Sequence, residues 1–171
     1  FLRAYLALHA ADRAIPPHDA SVGDVDDDPA LTWGSTPFAT AVSILRRARV
    51  DPSSHVVDLG AGRGMLLLAA RFLGARARGV ELDPKRAAPA IDALARVDAH
   101  LHVGDARSFD VGDATHVFIA WTCLPDDLRA ALAARLPPAT TLIALTWDPP
   151  PPYVVVDRFD AAFSWGRATV V

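Results

Sequence analysis

Three carboxylates and one cluster of glycines carry the chemistry in this sequence. Asp58 ends the apolar run His55-Val-Val-Asp58, and Leu59 then leads into Gly60-Ala-Gly-Arg-Gly64. Glycine is needed where the backbone takes positive φ or approaches a ligand closely. A glycine turn that opens a helix also presents free N–H groups to a ligand. Glu81 closes the next apolar run, about 20 residues beyond Gly60, where a carboxylate can accept the hydroxyls of a ribose. Asp105 follows a third run in Gly104-Asp-Ala106, placed to accept a hydrogen bond from an adenine amino group. Asp58 stands where it would hold a cationic or ammonium group. A pyrophosphate would not tolerate that carboxylate, and the spacing is GxGxG rather than the GxGxxG of dinucleotide folds. The pattern therefore predicts a nucleoside-type ligand with an amine and no phosphates.

Elements of alternating type must position these residues. Val56–Leu59 reads as strand one, Gly62–Leu73 as its helix, Ala77–Leu82 as strand two and Pro84–Val97 as the next helix. His100–Val103 and Thr115–Thr122 read as strands three and four, Pro125–Leu136 as a helix and Thr141–Trp147 as strand five. Tyr153–Asp157 and Ser164–Val171 read as a closing strand pair. Alternation of this kind predicts an α/β fold with a mostly parallel sheet and helices on both faces. Upstream, Phe1–Ala14 has helical periodicity, Asp19–Pro29 is an acidic loop matching no calcium-binding spacing, and Phe38–Val50 is a helix that Thr36 can cap with Pro37 at its first position.

Composition narrows the function classes. The chain has 171 residues, 51% of them hydrophobic, enough for one packed domain. A net charge of −3 gives no basic footprint and argues against nucleic acid as the main partner. Lys85 and Glu81 are the sole lysine and glutamate, a skew read as genomic bias. Cys123 stands alone, so no disulfide framework exists and a reducing, cytoplasmic setting is expected. No apolar run is long enough to span a membrane. No histidine spacing suggests a metal site. The chain opens on Phe1 without a methionine, which leaves an upstream segment open.

The stretches Val57-Asp-Leu-Gly-Ala-Gly-Arg-Gly64, Gly79-Val-Glu-Leu-Asp-Pro84 and Gly104-Asp-Ala106 resemble, in order and spacing, motifs I, II and III of class I S-adenosylmethionine-dependent methyltransferases. The resemblance implies a Rossmann-like sheet with a C-terminal antiparallel strand pair, over residues 38–171, preceded by a helix and acidic lid or linker over 1–37. It implies S-adenosyl-L-methionine as cofactor, held by Asp58, Gly60, Ala61, Gly62, Gly64, Glu81, Leu82, Asp105 and Ala106.

The acceptor side is less marked. Strand four runs into Ala120-Trp-Thr-Cys-Leu-Pro125 and lacks the Asn/Asp-Pro-Pro-Tyr tetrad of amino-methylating nucleic-acid enzymes. Asp148-Pro-Pro-Pro-Pro-Tyr153 lies one strand too late and reads as a rigid surface turn. Thr32-Trp-Gly-Ser-Thr-Pro37, with Leu124-Pro125, is similar to segments of small lysine methyltransferases related to the enzyme that trimethylates the mitochondrial ATP synthase c-subunit. That likeness implies a protein lysine as acceptor and a channel formed by Trp33, Thr36, Pro37, Trp121 and Thr122. Aromatic faces at Trp33 and Trp121 suit an ammonium group, and ordinary lid or core packing is the alternative. Trp147 and Trp165 read as core, His116 as a buried and satisfied strand residue, and Cys123 as packing. No catalytic base is singled out. A small-molecule methyltransferase and a non-catalytic cofactor-binding module remain alternatives.

Overall fold

A computed structural model describes residues 1–13, 34–120 and 125–171. Trp33, Trp121, Thr122, Cys123 and the acidic loop lie outside the described residues. Five strands form one parallel sheet: β1 (His55–Leu59), β2 (Arg76–Glu81), β3 (Ala99–Val103), β4 (His116–Ile119) and β5 (Thr141–Ala144), in the order β3-β2-β1-β4-β5. The order reverses between β1 and β4. A crevice opens at the carboxyl ends of strands at such a switch point. Asp58 lies directly opposite Phe118 in the β1–β4 register.

The helices are α1 (Leu2–Arg13), α2 (Phe38–Arg47), α3 (Met65–Phe72), α4 (Pro84–Ala95) and α5 (Asp126–Ala133). Strand side chains alternate between faces, so the sheet supports two cores. Val56, Ala77, Leu101 and Phe118 pack with Ala41, Leu45, Leu67, Leu68 and Leu94 of α2, α3 and α4. Ala4 and Leu8 of α1 join that same core. Val57, Leu59, Val80, Val117 and Ile119 face the other way, against Leu132 and Leu128 of α5. Among the described residues no helix is long and apolar enough to cross a membrane.

The closing strand pair differs from the expectation. It is β6 (Phe159–Phe163) and β7 (Gly166–Val170), an antiparallel hairpin turning at Ser164–Trp165. The β-branched run Val154–Val156 reads locally as strand, but it joins no ladder and Val156 is 90% exposed. One edge of β7 is taken by β6. The other meets the end of β5 through a Leu145–Val170 bridge and paired hydrogen bonds between Ala144 and Val171 at 2.9 and 2.8 Å. Asp157, expected in a strand, instead pairs with Arg47 at the end of α2.

Other departures are local. Pro37 itself is the N-cap of α2, without a side-chain cap, and its carbonyl accepts from Ala41 N–H at 2.9 Å. Thr36 is thereby released from the capping role. Trp147 is half-buried against the α5-side core. Trp165 is not core: it is 38% exposed and stacks on Phe163. His116 is buried, with Nε2 bonded to Ala48 O at 3.0 Å and Nδ1 to Thr115 Oγ1 at 2.8 Å.

Candidate functional site

The glycine loop bridges the ends of β1 and β2. Gly60 and Ala61 N–H both donate to Val80 O at 2.9 Å, Gly62 N–H to Glu81 Oε2 at 2.8 Å, and Gly64 N–H to Ala61 O at 2.7 Å. The loop was expected to offer free N–H groups, and these donors are instead used inside the protein. Its job is shape. Gly60 has φ +89°, and a Cβ there would meet no atom within 4 Å. A side chain at Gly60 would therefore project into space kept clear beside the backbone. Gly64 serves packing instead: at φ +70° it faces Leu94 of α4, which a Cβ would overlap.

Beside this loop lies a small open cleft of about 50 Å³, lined by Gly34–Thr36, Asp58, Gly60–Arg63, Met65, Leu66, Phe118 and Ala120. Of the expected site residues, it brings together Asp58, Gly60, Ala61, Gly62 and Thr36. Pro37 is exposed at the α2 cap and does not line it. Met65, Leu66 and Phe118 were missed. Phe118 carried no local signal, because its place opposite Asp58 is set by the β1–β4 register.

Asp58 is the only carboxylate among the described lining residues. It is 3% exposed, and burial, with the Glu81 charge beside it, pushes its carboxyl up to about 8. A carboxylate so placed gains most from a ligand that brings a positive charge. Glu81, also buried, is built differently. Its oxygens accept from Gly62 and Asp83 N–H, the latter at 3.0 Å, and Arg86 Nη1 lies 3.8 Å away. It fastens the glycine loop to β2, and each oxygen retains a further lone pair.

Asp105 sits beyond β3, whose end is tied to β2 by Gly104 N–H donating to Glu81 O at 2.9 Å. Its carboxylate accepts from Arg107 N–H at 2.8 Å and Nε at 2.7 Å, and this pairing holds it below the usual carboxylate range. Arg135 of the segment after α5 donates to the carbonyls of Ala106, Arg107 and Phe109, pinning the same loop. Leu82 is 51% exposed at the end of β2. Glu81, Leu82, Asp105 and Ala106 thus stand along the adjoining strand ends rather than in the cleft itself.

No family model matches the chain. An RNA methyltransferase from Salinibacter ruber, solved with S-adenosyl-L-homocysteine, superposes with a TM-score of 0.64 at 28% identity, covering 79% of this chain and 90% of that one. This chain has the class I methyltransferase fold. Among curated relatives, the ribosomal protein L11 methyltransferase of Geobacillus kaustophilus is 38% identical over 63 residues, 35% of this chain and 20% of that protein. The corresponding protein of Symbiobacterium thermophilum is 28% identical over 123 residues, 68% of this chain and 40% of that one. The chain spans 20% and 40% of the length of these two relatives.

The donor set fits an S-adenosyl group. A buried acid matches an ammonium, the glycine turn leaves room for close approach, and the loop N–H groups are committed elsewhere, so the loop offers little to a phosphate.

Proposed function

We propose that the chain is an S-adenosylmethionine-dependent methyltransferase that modifies a lysine amine of a protein. The cofactor half rests on Asp58: a buried carboxyl in a cleft, with no described hydrogen-bond donor to offset its desolvation. S-adenosylmethionine, when bound, supplies a methyl group on a sulfonium, open to in-line displacement. Asp58 pairs with its ammonium, while Gly60, Ala61 and Gly62 admit its methionine end and Gly64 holds the loop's path. Glu81 accepts the ribose hydroxyls on the lone pairs left by Gly62 and Asp83. Leu82, Ala106 and Asp105 receive the adenine, the acid taking the amino group. Phe118, Met65 and Leu66 exclude water beside the reacting centre, which strengthens every electrostatic contact inside. Thr36 guides the acceptor together with Trp33, Trp121 and Thr122.

Two observations support a protein acceptor. The upstream Trp33–Pro37 segment resembles small lysine methyltransferases, and the curated relatives are named for ribosomal protein L11. A net charge of −3 favours protein over polyanionic RNA, in a cytoplasmic setting. The likeness to the Salinibacter RNA methyltransferase supports a second reading, RNA methylation. Radiolabelled methyl transfer to a lysate, followed by separate protease and nuclease digestion, distinguishes the two. Label lost to protease and recovered as methyl-lysine by mass spectrometry is expected. Label lost only to ribonuclease overturns the protein acceptor, and label confined to small molecules overturns both.

A further inference from the structure

We infer that Trp165, at the turn of the β6–β7 hairpin, is a positioning residue for the cleft: it fixes where the Gly34–Thr36 wall stands, and so how tightly an S-adenosyl ligand is held. The inference rests on the cofactor reading above.

Gly34, Ser35 and Thr36 line the cleft together with the glycine loop, yet they belong to no helix or strand. Contacts to the hairpin hold them. Ser35 N–H donates to Ser164 Oγ at 2.8 Å, and Ser164 N–H donates back to Ser35 O at 3.1 Å. Just beyond, Thr40 Oγ1 donates to Ala162 O at 2.6 Å and ties α2 to the same hairpin. The Trp165 indole lies on Gly34 so closely that a Cβ there would overlap the ring. The indole is in turn braced by Phe163, a core residue, with ring centroids 4.7 Å apart and planes at 22°. A rigid chain therefore runs from the core through Phe163 and Trp165 to Gly34 and the wall. Trp165 does not line the cleft, so it acts through that wall. The pair Gly34 and Trp165 is mutually required: any side chain at position 34 displaces the indole, and loss of the indole frees the wall.

The test is calorimetric titration with S-adenosylhomocysteine, with thermal unfolding of each variant alongside. Trp165→Ala is expected to raise Kd about tenfold, a loss of about 1.4 kcal/mol. Trp165→Phe, which keeps an aromatic face over Gly34, is expected to restore binding to within about threefold of the parent. Ser164→Ala, which removes one clasp only, should raise Kd about threefold and stands in if Trp165→Ala fails to fold. Thr169→Val weakens the hairpin elsewhere, at the 2.9 Å bond to Asp160, and should lower Tm without changing Kd. If the parent binds and both Trp165→Ala and Ser164→Ala stay within twofold of it, the inference is wrong while the cofactor reading stands. If Trp165→Ala, Ser164→Ala and Thr169→Val all weaken binding in proportion to their loss of Tm, the role is stability alone and the inference fails. A parent chain that does not bind overturns both.

Discussion

Asp58 makes the cofactor reading quantitative through pH. Its carboxyl is pushed up to about 8 in the ligand-free chain, first by burial and then by the Glu81 charge. At pH 7 only about one molecule in eleven is therefore ionised, and at pH 6 about one in a hundred. If the ammonium of the ligand binds the ionised carboxylate, each pH unit below 8 costs about 1.4 kcal/mol, or tenfold in affinity. The window to measure is pH 5.5 to 7.5, below the usual range of an α-amino group, where the ligand keeps its charge. Calorimetry with S-adenosylhomocysteine should show Kd falling about tenfold per unit across that window. Repeated in two buffers of different ionisation enthalpy, it should show close to one proton released per ligand at pH 7. Asp58→Asn should bind weakly and with no pH slope. The same shift has a stability consequence of defined sign. The folded-state value lies above the unfolded one, so this group's contribution is fully present below about pH 4 and is lost as pH rises toward 8. Asp58→Asn should therefore raise the Tm of the ligand-free chain at pH 8, by an amount reflecting up to a few kcal/mol. A Kd that is flat from pH 5.5 to 7.5, with no proton release, would refute the pairing of Asp58 with a cation.

Three further outcomes are expected. Gly64→Ala combines a positive φ of +70° with overlap on Leu94, and should lower stability by about 1–3 kcal/mol in denaturant titration; Gly64→Ala with Leu94→Val should recover part of it. Arg135→Ala removes the donors that pin the carbonyls of Ala106, Arg107 and Phe109, and should speed amide exchange over residues 104–110 while weakening S-adenosylhomocysteine binding a few-fold; unchanged exchange there would show that the loop holds itself. His116 is held below its ordinary value, chiefly by burial, so the folded state resists protonation; stability should be intact above about pH 6.5 and fall as pH drops below it, with the His116 NMR titration midpoint lying below that of a histidine in the unfolded chain.

What could be read in advance followed the range of the forces involved. Alternating apolar runs and glycine punctuation are local, and they placed the parallel strands to within a few residues. Thr115–Thr122 illustrates the limit: the ladder begins only at His116, where β4 meets its neighbours β1 and β5, and the far end of the expected strand lies outside the described residues. Val154–Val156 shows the same limit more sharply. Its residues favour a strand, but a strand needs an edge, and β7 was already flanked by β6 and β5. Ser164 reads in sequence as part of a strand, and Trp165 as strand and core. Their clasp on Gly34–Ser35 joins segments 129 residues apart, and no local pattern encodes such a contact.

The three acids show where spacing stops and structure begins. In the sequence Asp58, Glu81 and Asp105 differ by position alone: each is a carboxylate at the end of an apolar run. In the fold they differ in kind. Asp58 is buried with no described donor and its carboxyl is raised; Asp105 is partly exposed, gripped by Arg107, and lowered. Glu81 is buried too, but donors from Gly62 and Asp83 compensate it. Only Asp58 is left to gain a charge partner from outside the protein, because a desolvated acid without a donor recovers most when a cation arrives. The ammonium end of the ligand is thus the part that this chain can recognise most strongly. The adenine end must compete with Arg107 for Asp105. It follows that removing the ligand's amine should cost more affinity than removing its adenine amino group. Titration with the two corresponding S-adenosylhomocysteine analogues decides the order, and the reverse ranking would mean that Asp105, not Asp58, anchors the cofactor.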